Sequence, residues 1–363
     1  MNIDWIVRGC NEILFGKKEK DINEDLLSVE ELNKALSEAT KHGMLAVLMK
    51  RLEHADIKDA ALKKVVVKWY VSCERYQKKT RKIHSLMQKM AIEFGNAGLD
   101  VMFLKGATTA QLYPEPQLRM FDDIDYYLYG NSDKGAEVLE SLGIKTNKCS
   151  HHHTRAYLKG VLLEDHYDFL DRKNHRGNLL MDDELKRLAA MEGHSYPFMF
   201  DNTVVNNAYC MSPTMNALFL MRHMGTHFFS ETVPLRMLYD WALFLKKYAG
   251  EVDWEKTLLL YKESGMPVFP SMIQGILVSK LGLDFPNCPI EPICGKTTDR
   301  IWKSIIDTTE SNPYKKGSVR FHLYEAMLFI NNRWKHHLIF KGESYWLLFI
   351  SFIWQNLRIK IKG

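Results

Sequence analysis

Residues 104–106, Leu-Lys-Gly, and residues 119–125, Arg-Met-Phe-Asp-Asp-Ile-Asp, decide how this chain reads. The first run is the end of a strand meeting a Lys-Gly turn and a short helix. The second opens a strand with two carboxylates two residues apart. Side chains alternate faces along a strand, so Asp123 and Asp125 point the same way. Two adjacent acids repel, and each raises the cost of ionising the other, which a purely structural strand avoids. A divalent cation resolves that conflict, because a hard ion such as Mg²⁺ takes carboxylate oxygens together with substrate phosphates. Lys105 and Arg119 flank the turn with positive charge, and Gly106 permits close backbone approach to an anion. In outline this is a metal-and-phosphate site.

Outward from that stretch the chain changes texture twice. Residues 1–98 read as helical: 4–15 has a helical apolar period, Ser28 with Glu31 forms a capping box, and 59–95 is one long amphipathic run. Residues 99–175 read as a small mixed sheet in the order β-α-β-α-β-β with helices on one face. Its strands are 101–104, 123–129 and a hairpin, 153–158 and 161–169, turning at Lys159-Gly160. From about 177 to 363 the pattern is helical again, with Ser212-Pro213 as a helix start. The expected class is therefore α+β, a small mixed-sheet core flanked by mainly helical N- and C-terminal regions.

The hairpin's second strand carries Leu163-Glu164-Asp165-His166-Tyr167-Asp168. Alternation puts Glu164, His166 and Asp168 on one face and Asp165 on the other. With that strand beside 123–129, Glu164 completes a three-carboxylate cluster of the kind used in metal-assisted phosphoryl or nucleotidyl transfer. His166 reads as a hydrogen-bonding residue beside the acids rather than as a ligand. The run His151-His152-His153 reads as a solvated loop or substrate rim, since three consecutive histidines on a strand cannot all face one ion. His223 and His227, four apart on a helix, read as a face turned to the cleft, and Arg236 and Asp240 have the spacing of a helical ion pair.

These runs together resemble the uncharacterised nucleotidyltransferase family of bacteria, within the polymerase-β-like nucleotidyltransferase superfamily. The likeness extends over about residues 30–260 and takes in His223, His227, Arg236, Asp240 and Val-Asp-Trp at 252–254. The resemblance implies Asp123 and Asp125 as catalytic metal ligands and Glu164 as the third acid. It places Gly106 where the superfamily's turn meets the triphosphate, and the charges of Lys105 and Arg119, with His166, are read as lining the nucleotide beside it. The superfamily's Gly-Ser is Gly106-Ala107 here, so Thr108 or Thr109 stands in for the missing hydroxyl. The implied reaction transfers an NMP from an NTP to an acceptor hydroxyl, with Mg²⁺ (or Mn²⁺) as cofactor and pyrophosphate released. The acceptor candidates are a small molecule, a sugar, an RNA end or a protein side chain. The rivals are a catalytically weak nucleotide-binding protein of the same fold, or a helical scaffold docking through its C-terminus.

Composition fits this picture. Of 363 residues, 46% are hydrophobic and 26% charged, the balance of an ordinary globular protein. Six scattered cysteines without a CxxC pair suggest reduced thiols and a cytoplasmic setting, and the N-terminus does not read as a signal peptide. Of the formal net charge of +5, residues 315–363 contribute nine Lys and Arg against two Glu, leaving the rest of the chain slightly negative. This basic end follows an apolar run at 345–357, too short to span a bilayer, which suggests a buried helix or peripheral membrane contact through 344–363.

Overall fold

The computed structural model describes residues 2–148, 152–173, 175–200, 203–230, 232–307, 313–315 and 318–348. The N-terminal helices are α1 (Ile3–Phe15), α2 (Val29–Lys41), α3 (Leu45–Leu52) and the 37-residue α4 (Ala60–Asn96). Their ends follow the sequence. Ser28 and Glu31 form the reciprocal capping box of α2, and the Asp59 carboxylate accepts from the amides of Ala61 and Leu62 at the start of α4. A buried Arg51 ties α3 to α1 and the intervening loop through Glu12 (2.7 Å) and Asp25 (2.9 Å).

The central segment runs β1 (Val101–Phe103), α5 (Lys105–Ala110), β2 (Asp123–Tyr127), α6 (Ser132–Ser141), β3 (Thr146–Lys148), β4 (His153–Leu158) and β5 (Val161–His166). It continues through α7 (Arg176–Glu192) to β6 (Pro197–Phe200) and β7 (Thr203–Cys210). The strands form one sheet in the order β3-β4-β5-β2-β1-β7-β6. The β4–β5 hairpin turns where expected: Lys159 and Gly160 both have positive φ, 50° and 79°, the conformation of the tight turn that matches strand twist. β5 lies parallel to β2 with Asp125 opposite Glu164, and β1 lies antiparallel to β2 on its other side.

Two expectations need correction. The stretch after 177 is not wholly helical, because β6 and β7 extend the sheet and β7 pairs in parallel with β1. Phe198 and Phe200 alternate inward in β6, but the strand is four residues long and begins with Pro197, too short to show a period. Helices also cover both faces of the sheet, not one. Phe103, Ile124, Tyr126 and Leu163 pack under α4 and α6, while Met102, Leu104 and Tyr127 join the larger core of the helical region. Every residue of β1 is buried, as a strand covered on both sides requires.

The remaining helices are α8 (Pro213–Ser230), α9 (Leu235–Tyr248), α10 (Trp254–Glu263), α11 (Phe269–Leu281), α12 (Lys296–Ile306), α13 (Val319–Asn331) and α14 (Arg333–Ile339). No helix among the described residues is long and apolar enough to cross a membrane. His151, Cys149 and residues 349–363, with most of the apolar run and the last basic residues, lie outside the described residues.

Phe103 is fully buried, with its ring 5.2 Å from that of Phe198 and 5.9 Å from that of Phe200. Phe103→Ala should therefore cost about 3–5 kcal/mol, read as a lower urea midpoint at unchanged slope.

Candidate active site

β2 ends the site's search for its centre. It lies between β1 and β5, so its face is reached from both neighbours. Asp125 is 4% exposed. From β5, the His166 ring sets Nε2 3.0 Å from Asp125 Oδ1. From the end of β1, the Lys105 ammonium lies 3.3 Å from the same oxygen. Burial alone would raise the Asp125 carboxyl, but the Lys105 charge and the His166 contact outweigh it and hold it at about 2. Burial likewise works against the Lys105 charge, and the carboxylates of Asp125, Asp123 and Glu164 more than restore it, so its pKa is raised.

Gly106 bends the chain immediately after Lys105. Its φ of +40° and ψ of −98° break the helical course of α5, and a Cβ there would stand 3.4 Å from the Phe121 ring. The bend opens a cleft of about 390 Å³, walled by Lys105, Gly106, Asp123 and Asp125 on the sheet side and by His223, His227 and Arg236 on the helical side.

The predicted residues take distinct places around this cleft. Asp125, Glu164 and His166 bring one donor atom each to within 4.8 Å of one another, a grouping fit to share a cation. Asp123 lines the cleft instead of joining that group, and burial with the nearby Asp125 charge raises its pKa. Glu164 faces Asp125 across the register but is also held by Arg155 (2.9 Å). Asp165 faces the opposite side of the sheet, as alternation requires, and burial raises it to about 7, only partly offset by Ser132. Thr108 is not on the cleft wall; its hydroxyl donates to the Lys105 carbonyl (2.9 Å), and that of Thr109 donates to the Gly106 carbonyl (3.1 Å).

Three partnerships differ from the sequence reading. Asp240 pairs with Arg119, not with Arg236: Arg119 donates Nε to Oδ1 (2.8 Å) and Nη2 to Oδ2 (2.7 Å), and Tyr113 adds its hydroxyl at 3.0 Å. The two partners are 121 residues apart, a proximity that no local spacing reveals. Arg236 instead donates Nη1 to the Met120 carbonyl (2.6 Å) and, half-buried, lines the cleft. His152 and His153 are not a solvated loop. His153 starts β4 and is 7% exposed, with its ring 4.7 Å from that of His152 and 5.7 Å from that of His166. The signal that was available is the strand itself: once β4 pairs with β5, His153 falls opposite His166.

The donor set suits a cation on independent grounds. Oδ2 of Asp125 is buried without a hydrogen-bond partner among the described residues, which leaves an acceptor aimed at no protein donor.

Residues 28–269 match the family described as "Uncharacterised nucleotidyltransferase". The comparison with curated proteins returned no match. Among solved structures, the chain is similar to the antibiotic-resistance factor ANT(2'')-Ia in solution, at 14% identity over 50% of this chain and 91% of that one, with a TM-score of 0.34. It is similar to ANT(2'')-Ia in complex with adenylyl-2''-tobramycin at 14% identity, over 50% and 97% of the two chains, with a TM-score of 0.33. An antigenic nucleotidyltransferase-like protein from Paracoccidioides brasiliensis aligns at 12% identity over 60% and 95%, with a TM-score of 0.32.

Two expected outcomes follow from these partnerships. Asp240→Ala leaves the buried Arg119 charge unpaired and should cost about 3–5 kcal/mol in chemical denaturation; a loss below about 1 kcal/mol would show that the pair does not hold this wall. Folded Asp165 keeps its proton up to about 7, whereas the unfolded chain releases it near 3.8. Between those values the folded state binds the extra proton, so this residue makes stability fall as pH rises. Asp165→Asn should gain stability relative to wild type from pH 4 to 7, measured by thermal melts across that range.

Proposed function

This chain belongs to the uncharacterised nucleotidyltransferase family, and from that premise we propose that it transfers a nucleoside monophosphate from an NTP to an acceptor hydroxyl and releases pyrophosphate. The observation that carries the reading is the cleft itself. A carboxylate pair on one strand and a third acid on its neighbour stand beside a glycine bend and a half-buried lysine.

Asp123 and Asp125 would hold the divalent ion, with Glu164 as the third acid and His166 beside them. When bound, such an ion neutralises triphosphate charge and polarises the attacking oxygen. The remaining work belongs to the chain. Gly106 lets the backbone approach the phosphates, since no side chain stands in the way at the bend. Lys105, half-buried at the cleft wall, offers its charge to Asp125 and to the incoming phosphates together, and its partial withdrawal from water strengthens both attractions. Arg119 keeps its fork on Asp240, so Arg236 across the opening joins Lys105 in holding phosphate. The acceptor enters from the helical wall, where His223 is kept uncharged by burial and by the nearby Lys105.

A second reading has one observation in its favour. Ala107 lacks the hydroxyl of the superfamily turn, and the Thr108 hydroxyl is engaged with the Lys105 carbonyl. A chain that binds nucleotide without transferring it would fit that arrangement.

Wild type mixed with Mg²⁺ or Mn²⁺ and labelled NTPs should release pyrophosphate when the acceptor is supplied, and Asp125→Ala should lower metal-dependent NTP binding and turnover by at least about 10³-fold. Thermal stabilisation by NTP without pyrophosphate release would favour the binder, and unchanged turnover in the variant would overturn the site.

A further inference from the structure

We propose that Asp125, Glu164 and His166 bind a first-row transition ion (Mn²⁺, Fe²⁺ or Zn²⁺) in preference to Mg²⁺, with His153 against them. This builds on the metal-dependent reading above, but it concerns the ion alone and is read without nucleotide. A failure of nucleotidyl transfer and a failure of this assignment are therefore separable.

The site is built from side chains that water barely reaches. Asp125, Glu164, His166 and His153 are 4%, 9%, 3% and 7% exposed. One donor atom from each of the first three lies within 4.8 Å of the others, and the Asp125–His166 approach is 3.0 Å. His153 Nε2 stands 3.5 Å from the Glu164 oxygen that Arg155 also contacts. The ring of His152 packs on both of the others, 4.7 Å from His153 and 5.3 Å from His166.

Hydrogen bonding within the protein accounts for Oδ1 of Asp125 and for the Glu164 oxygen that Arg155 contacts, but not for every polar atom of the cluster. Among the described residues, Oδ2 of Asp125, Nδ1 of His166 and both ring nitrogens of His153 are buried without a hydrogen-bond partner. Each such atom forfeits its hydration for nothing unless something else occupies it. Lys105 supplies charge to Asp125 but answers none of these nitrogens.

The donor chemistry then selects the ion. Mg²⁺ demands oxygen ligands in near-ideal octahedral geometry and sheds its water reluctantly, so imidazole adds little to its binding. Borderline ions take imidazole and carboxylate together, and affinity for a nitrogen-bearing site rises from Mn²⁺ through Fe²⁺ toward Zn²⁺. A purely acidic trio would leave the choice to availability. A histidine facing two carboxylates does not.

Pulsed EPR on the full chain titrated with Mn²⁺ tests this. The expected result is one ion per chain with ¹⁴N modulation from a bound imidazole, replaced by the ¹⁵N pattern when the chain is grown with ¹⁵N-histidine. Competition should show Mg²⁺ binding at least about tenfold more weakly. His166→Gln should abolish the modulation and weaken Mn²⁺ at least about tenfold while Mg²⁺ changes less than about twofold, with circular dichroism confirming the fold. Should that variant not fold, Glu164→Gln, which keeps the side chain's size, is expected to weaken Mn²⁺ by a similar factor. Absence of nitrogen modulation in wild type, its survival in His166→Gln, or Mg²⁺ competing on equal terms would overturn the assignment.

Discussion

A carboxylate on the inner strand of a sheet covered on both faces is tolerable only when positive or hydrogen-bonding groups are brought to it. An unpaired buried charge costs several kcal/mol. Asp125 meets that demand from both sides at once. Lys105 comes from the end of β1 and His166 from β5, the two strands that flank β2. The backbone repeats the arrangement, since the Leu104 amide donates to the Asp125 carbonyl at 2.9 Å. The same groups that make the acid bearable also fix its oxygens in place, so the electrostatic requirement and the chemical use of the site are one constraint.

The second constraint joins the sheet to the helical region. Arg119 and Tyr113 both reach Asp240 on α9, and Arg236 from the same helix holds the Met120 carbonyl. These contacts anchor the loop between α5 and β2, which otherwise has only a short 3₁₀ turn at Pro116–Leu118. A cleft with one wall on a sheet and the other on α8 and α9 needs such a clamp, because neither wall alone sets its width. The arginine spent on the clamp is the one that sequence spacing assigns to phosphate, and the arginine left facing the cleft is the one that spacing pairs internally.

The site was legible in the sequence to the extent that its chemistry is local. Asp123 and Asp125 two apart, Lys105 before Gly106, and Glu164 with His166 on one face of a hairpin strand are all spacings within single elements. The His152–His153 cluster was not legible, because its meaning depends on β4 lying against β5 in one register. The same holds for β6 and β7. Their partners in the sheet are each other and β1, about a hundred residues earlier, and every residue of β7 except Ala208 is exposed or half-exposed, so the strand carries no clean alternation.

What the residues determined by themselves is the set of elements and the presence of an acidic, glycine-turned site. Caps, turn residues and two-residue alternation act over a few positions and need no distant partner. What only the tertiary structure decided is who neutralises whom. Lys105 and His166 go to Asp125, Arg119 goes to Asp240, and Arg236 is left to the cleft. Charge pairing in a buried site is settled by which strands and helices are brought together, since a few ångströms in space separate groups that stand 41 or 121 positions apart along the chain.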